Sequence, residues 1–181
     1  MKTLAFEEQL TQLANETVTL VPLHEDHFEL LFAVAADPLI WAQHPTPTRY
    51  QRAVFATYFA GGIESKAAFL VFDTATQTPI GSSRYYDLNL AAHSVKIGYT
   101  FLACAYWGTR HNRALKTVML NNAFRFVDTV IFEIGAQNLR SQKAIEKLGA
   151  VRVATQKIAY FGEAANENFI YEIKKADWQS S

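Results

Sequence analysis

The chain has 181 residues, half of them hydrophobic, enough to bury one sizeable core, so a single domain is expected over residues 1–181 with its core at about 17–176. Basic and acidic residues balance at 17 each, which removes any compositional argument for a nucleic-acid partner or an anionic membrane surface. The single cysteine, Cys104, excludes an intrachain disulfide, and the five histidines are not joined by further cysteines at zinc-like spacing, so no metal is expected.

The first ten residues lack an apolar signal-peptide region and carry Glu7 and Glu8, and Asp37 and Pro38 interrupt the longest apolar stretch. A cytoplasmic protein without membrane spans is the expectation. After a short leader, residues 18–23 read as a strand in which Pro22 marks an edge or end. A helix follows through residues 27–33 and stops before Pro38. Residues 41–48 hold two prolines among polar and aromatic side chains and read as a restricted loop, and a second helix over about 50–59 ends near Gly61 and Gly62.

From residue 67 the period shortens. Residues 69–72 read as a buried strand, 73–79 as a hairpin connection, 80–87 as the answering strand and 95–102 as a further strand. The third helix presents Leu115, Val118, Met119, Asn122 and Phe126 on one face, residues 129–134 form a central strand, and the fourth helix carries Ser141, Ala144, Ile145 and Leu148 on one stripe. Gly149 suits a left-handed C-terminal cap, and residues 151–160 and 169–174 close the sheet as a hairpin. The order is a strand meander followed by a βαβα unit.

Two segments carry the chemistry. The strand ending at Leu102 runs through a polar turn, residues 103–110, into a helix, and Asn138 opens the next helix. The first amides of a helix lack intrahelical partners and sit at the positive end of its dipole, so a strand-loop-helix of this kind suits a diphosphate. The chain has neither GxxxxGK[ST] nor GxGxxG after its first strand, which weighs against nucleotide hydrolysis and hydride transfer.

Ile97-Gly98-Tyr99-Thr100-Phe101-Leu102, Tyr106-Trp107-Gly108-Thr109 with its helix, and Asn138, Ser141, Ala144, Glu146, Lys147, Leu148 and Gly149 together resemble the GCN5-related N-acetyltransferase superfamily, in particular its ribosomal-protein-serine/alanine acetyltransferase-like branch. The resemblance implies an α/β fold of α+β type: a mixed, mostly antiparallel sheet flanked by about four helices, with two parallel strands, around 97–102 and 130–134, splayed to hold acetyl-CoA. It implies that Leu102 and Ala103 pair with the pantetheine arm, that amides of Gly108, Thr109, Arg110, His111, Asn112, Arg113 and Ala114 hold the diphosphate, and that Asn138 bonds the pantetheine or a water. The usual loop reads Q/R-x-x-G-x-G/A; here Arg110 and Asn112 replace small residues, Arg110 adding charge and Asn112 capping the helix or accepting left-handed geometry. Lys147 reaches a cofactor phosphate, or serves the helix dipole from the last turn.

The implied reaction is direct attack of a neutral amine on the thioester in a ternary complex, with a protein N-terminus or a small-molecule amine as acceptor and a homodimer plausible. Ser141 would donate to the departing thiolate, although many relatives use a tyrosine there. A carboxylate often precedes Ile-Gly-Tyr in the family, whereas this chain has Lys96, so Glu133 and His44 are the candidate bases. Trp41, His44, Arg84 and Tyr86 are the candidate acceptor-side residues, against the plainer readings of packing for the aromatics, a structural hydrogen bond for His44 and a solvated hairpin charge for Arg84. Cys104 is either an acetyl-enzyme nucleophile or a small buried hydrophobe, and the latter is the commoner state of a lone cysteine near a strand end. The rival functions are a non-catalytic acyl-CoA-binding sensor or interaction module, motivated by Lys96 and the altered loop, and a plain structural domain.

Overall fold

The computed structural model describes residues 10–159 and 165–179. The leader through residue 9 and the end of the strand expected to reach residue 160 lie outside the described residues. Eight strands form one sheet: β1 (Leu13–Ala14), β2 (Val18–Pro22), β3 (Ala68–Asp73), β4 (Pro79–Asn89), β5 (Ser94–Leu102), β6 (Thr129–Gly135), β7 (Val151–Ile158) and β8 (Asn166–Lys174), in the order β1-β2-β3-β4-β5-β6-β8-β7. Each neighbouring pair is antiparallel except β5 with β6, so the sheet is mixed and mostly antiparallel, as the resemblance implied.

Six helices flank it among the described residues: α1 (Phe28–Ala35), α2 (Pro38–Trp41), α3 (Arg52–Glu64), α4 (His111–Ala123), α5 (Leu139–Glu146) and α6 (Lys175–Gln179). Strand alternation divides the core between the two faces of the sheet. On β3, Phe69 and Val71 join Leu115, Met119, Leu120 and Ala123 of α4 and Ile145 of α5, while the intervening Leu70 joins Leu31 of α1, Trp41 of α2 and Phe55 and Phe59 of α3. Both faces are therefore covered, which is why β3 is a nearly continuous apolar run rather than an alternating one.

Two expectations are corrected. The second predicted helix does not stop at its glycines: α3 runs to Glu64 and the left-handed residue is Lys66, at φ 52°. Gly62 is there for close packing, since a Cβ would stand 3.0 Å from Leu23 Cδ2. On α4, Leu115, Met119 and Asn122 are buried as expected, but Lys116, Leu120 and Ala123 complete the face, Val118 is half-buried, and Phe126 lies past the helix end. A helix lying flat on a sheet buries a broad stripe rather than a single row. Residues 42–48 form the expected loop, and Trp41 before them ends α2, whose start is built by Pro38 and by Asp37 Oδ1 accepting the Leu39 N–H at 2.9 Å. Gly149 does adopt the left-handed conformation, φ 88°, after α5.

Candidate active site

The parallel pair β5 and β6 is short. Its register runs Ser94↔Thr129, Val95↔Val130 and Lys96↔Ile131, after which the strands part while β5 continues along β4 and β6 along β8. The gap between them opens into a cavity of about 220 Å³, with Leu102, Gly108, Asn112, Lys116, Glu133 and Ser141 on its wall.

A bulge shapes the β5 side. Ser82 pairs with Phe101 and Arg84 with Gly98, so Tyr99 and Thr100 together oppose Ser83, and Tyr99 takes φ 52°. A bulky side chain in the left-handed region is strained and needs support. Here α3 supplies it: the Tyr58 hydroxyl donates to Tyr99 O at 2.5 Å. The Arg84 guanidinium lies 3.5 Å from the centre of the Tyr99 ring and donates to Gly61 O at 2.5 Å. Thr100 Oγ1 lies 2.8 Å from Ser83 Oγ and accepts from Lys116 Nζ at 2.6 Å.

Beyond the bulge, Phe101 and Leu102 stand opposite Ser82 and Gly81 of β4, and the Ala103 N–H donates to Ile80 O at 2.8 Å. By alternation the Leu102 peptide groups face the gap, and its carbonyl accepts from the Trp107 indole at 2.9 Å. Of the two residues expected to pair with pantetheine, Leu102 lines the cavity and Ala103 does not. The chain then turns through Gly108 at φ 72°, where a Cβ would meet nothing within 4 Å, and enters α4 with Arg110 as N-cap. Asn112 is thus inside the first turn rather than capping it, and it lines the cavity. The His111 side chain turns away: Nε2 lies 2.7 Å from Asp73 Oδ2 and Nδ1 lies 2.9 Å from Thr109 Oγ1. The bond from His111, aided by Thr76, holds the Asp73 carboxyl down at about 2. Thr109, Arg110 and Arg113 are exposed, and Lys147, the C-cap of α5, is exposed too; none of them, nor Ala114, is on the cavity wall.

Two residues past the last parallel pair, Glu133 projects into the gap. Its carboxylate meets Lys96 Nζ at 2.5 Å and accepts from the Tyr86 hydroxyl at 3.2 Å. Lys96 also bonds Asp87 at 2.9 Å. Burial alone would lower the Lys96 ammonium, but the bonds to Glu133 and Asp87 prevail and lift it. Position 96, where the resemblance leads one to look for a carboxylate, thus holds a lysine that binds a carboxylate of the neighbouring strand.

On the acceptor side His44 and Tyr86 line the cavity, whereas Trp41 and Arg84 do not. Trp41 is fully buried, and its indole N–H donates to Ala35 O at 2.8 Å. Arg84 is buried with its charge on Gly61 O and the Tyr99 ring, so both side chains are committed to packing off the cavity wall. Desolvation, with Arg49 and Arg140 nearby, pushes the His44 imidazole down to about 3. Cys104 is off the wall and burial, with Asp37 beside it, pushes its thiol up to about 11, which is the protonated form rather than an activated nucleophile.

Asn138 caps α5, its Oδ1 accepting the Ser141 N–H at 3.2 Å, and both line the cavity. Sequence reading passed over Arg49, Lys116 and Arg140. Arg140 packs 3.8 Å above Trp107 and donates to Ile40 O at 3.1 Å, tying α5 to the loop and to α2. A signal for Lys116 existed, since it lies one helical turn past Asn112.

Parallel strands that part around a cavity, with a helix N-terminus at one end, define a class: α/β proteins of the N-acetyltransferase type. The comparison with known families makes the class specific, because the acetyltransferase (GNAT) domain matches residues 17–151, and the chain belongs to that family. No curated protein sequence matches it. Among solved structures, a GCN5-related N-acetyltransferase from Brucella melitensis is similar with a TM-score of 0.82 at 16% identity, over 93% of this chain and 80% of that one. Spermidine N-acetyltransferase from Vibrio cholerae, in complex with CoA and spermine, has a TM-score of 0.69 at 16% identity over 91% and 99% of the two chains. Mycobacterium smegmatis RimJ, in complex with CoA-disulfide, has a TM-score of 0.70 at 13% identity over 92% and 87%. At these identities the likeness establishes the fold. No helix among the described residues is long and apolar enough to cross a membrane.

Proposed function

We propose that this chain transfers an acetyl group from acetyl-CoA to a primary amine by direct attack in a ternary complex. The observation that carries the reading is the cavity between β5 and β6, with Gly108 and Asn112 at one end and the Glu133 carboxylate on the same wall. The residues suit the co-substrate: the left-handed Gly108 leaves open space beside the first amides of α4 for a diphosphate, and the gap-facing peptide of Leu102 suits the amides of a pantetheine arm. Its thioester supplies an acyl carbon that a neutral amine attacks.

The chain's own groups then divide the work. Glu133, oriented by Lys96 and Tyr86, receives the proton that the acceptor nitrogen sheds. His44 has too little basicity for that task and acts as a hydrogen-bonding wall residue. The bulge at Tyr99 and Thr100 takes backbone out of the β4 ladder and offers an amide to the developing oxyanion. Ser141 donates a hydrogen bond to the leaving sulfur. Arg49 and Arg140 on the wall weigh against a polycationic acceptor and leave a protein N-terminus or a small amine without extra positive charge.

Calorimetric titration with acetyl-CoA, followed by thiol release against a panel of amines and N-terminal peptides, tests the reading. Binding with release is expected; binding with no release for any acceptor would favour the sensor, and no binding would reject both. Glu133→Gln should lower kcat about 100-fold, while His44→Ala should keep kcat within about fivefold of the parent.

A further inference from the structure

Lys116 is a cation that the reaction as described leaves without a role. It is 4% exposed, lies on α4 one turn past Asn112, and belongs to the cavity wall. Its Nζ donates to Thr100 Oγ1 at 2.6 Å, which sets the ammonium at the level of the bulge, and lies 5.6 Å from the centre of the Phe132 ring on β6. It therefore touches both of the parting strands, β5 through Thr100 and β6 through Phe132. Among the described residues no carboxylate forms an ion pair with it; the titratable groups sharing the cavity are Tyr86, Tyr99, Tyr106, Glu133, His44, Arg49 and Arg140, and Glu133 is already bound to Lys96. What meets Nζ directly is a hydroxyl, and what lies beside it is an aromatic face.

We infer that Lys116 is the acid that protonates the departing CoA thiolate, held in place by the Thr100 hydroxyl. The inference rests on the acetyl-transfer reading above. An alkyl thiol has a pKa of about 8.5, so a serine hydroxyl is far too weak an acid to give up its proton to the thiolate and can only hydrogen-bond it. Burial lowers the Lys116 ammonium to about 7, acidic enough to make that transfer downhill and still partly charged near neutrality. Ser141, on α5, orients the sulfur, and Lys116, on α4, supplies the proton.

The step balances. The lone pair of the acceptor amine forms the C–N bond, the C–S bond breaks with its electrons on sulfur, and a proton moves from Lys116 to that sulfur, leaving a neutral lysine and a neutral thiol. The acceptor nitrogen loses its proton to Glu133 and thence to solvent, and Lys116 takes one back from solvent once the thiol has left.

The test uses Lys116→Met, which keeps the volume without the amine, and Lys116→Arg, which keeps the charge but is too weak an acid. Each is compared with the parent for acetyl-CoA binding and for kcat between pH 6 and 9. The parent should lose kcat as the pH rises through about 7. Both variants should bind acetyl-CoA within about threefold of the parent, fall about 100-fold in kcat at pH 6.5 and lose that high-pH limb. An acetyl thioester of an electron-poor aryl thiol, which leaves without protonation, should close most of the gap between Met variant and parent. A Met variant with the parent's kcat and pH limb overturns the inference, and so does a deficit that is equally large with the aryl thioester. A parent that releases no thiol from acetyl-CoA with any amine removes the acetyl-transfer reading itself, a result separate from any difference between variants.

Discussion

Lys96 and Glu133 show how a residue's role depends on the strand beside it. Lys96 occupies the place where the family resemblance leads one to look for a carboxylate, and the carboxylate reaches the same space from β6 at 2.5 Å. Lys116 makes a comparable point about cost. An ammonium buried without a countercharge destabilises the fold wherever it stays protonated. Its folded pKa of about 7 lies below the unfolded 10.5, so the penalty is full below about pH 7 and fades as the pH rises towards 10.5. Parent stability should accordingly climb across that window, whereas Lys116→Met should be more stable than the parent at pH 6.5 by roughly 4–5 kcal/mol, with under about 1 kcal/mol of that advantage left at pH 10. Urea unfolding at the two pH values checks this, and a constant difference between the proteins would show that the amine is not the source.

At the scale of elements, the site is assembled by contacts between segments far apart in sequence. The bulge of β5 is held by α3 through Tyr58 and by β4 through Arg84. Tyr58→Phe leaves the Tyr99 carbonyl without that donor, and should lower stability by about 1 kcal/mol and kcat about tenfold with little change in acetyl-CoA affinity. A matching loss of affinity would instead place the bulge in cofactor binding. The loop before α4 is fastened through His111 to Asp73 at the end of β3. Gly108→Val meets no atom within 4 Å but must adopt φ 72°, so it should lose about 1–2 kcal/mol of stability and weaken acetyl-CoA binding at least tenfold. Wild-type affinity in that variant would move the diphosphate elsewhere.

For the molecule as a whole, the sheet is one continuous surface that is interrupted only where β5 and β6 part, with helices packed on both faces. A ligand filling that gap bridges the two halves of the sheet. Acetyl-CoA at 100 times its dissociation constant should add about 2.7 kcal/mol, raising Tm by about 5–10 °C in a chain of this length, as scanning calorimetry would record. A Tm that does not move with acetyl-CoA would mean that the folded chain does not bind it.

The sequence alone determined the order of elements from about residue 95 onward, because the capped helix at Asn138, the glycine after it and the strand-loop-helix through Gly108 have local causes in hydrogen bonding and backbone conformation. Those same local signals brought Leu102, Gly108, Asn112, Asn138 and Ser141 to one cavity. They misjudged α3, where Gly61 and Gly62 lie inside the helix yet look like its stop, and they did not show that the polar groups of Trp41 and Arg84 turn to buried carbonyls. Only the tertiary structure decided that Glu133 meets Lys96 and that Lys116 reaches Thr100. Both contacts depend on where two strands stop pairing and on how a helix is rotated against them, and that is settled by packing between segments distant in the chain, which no local pattern records.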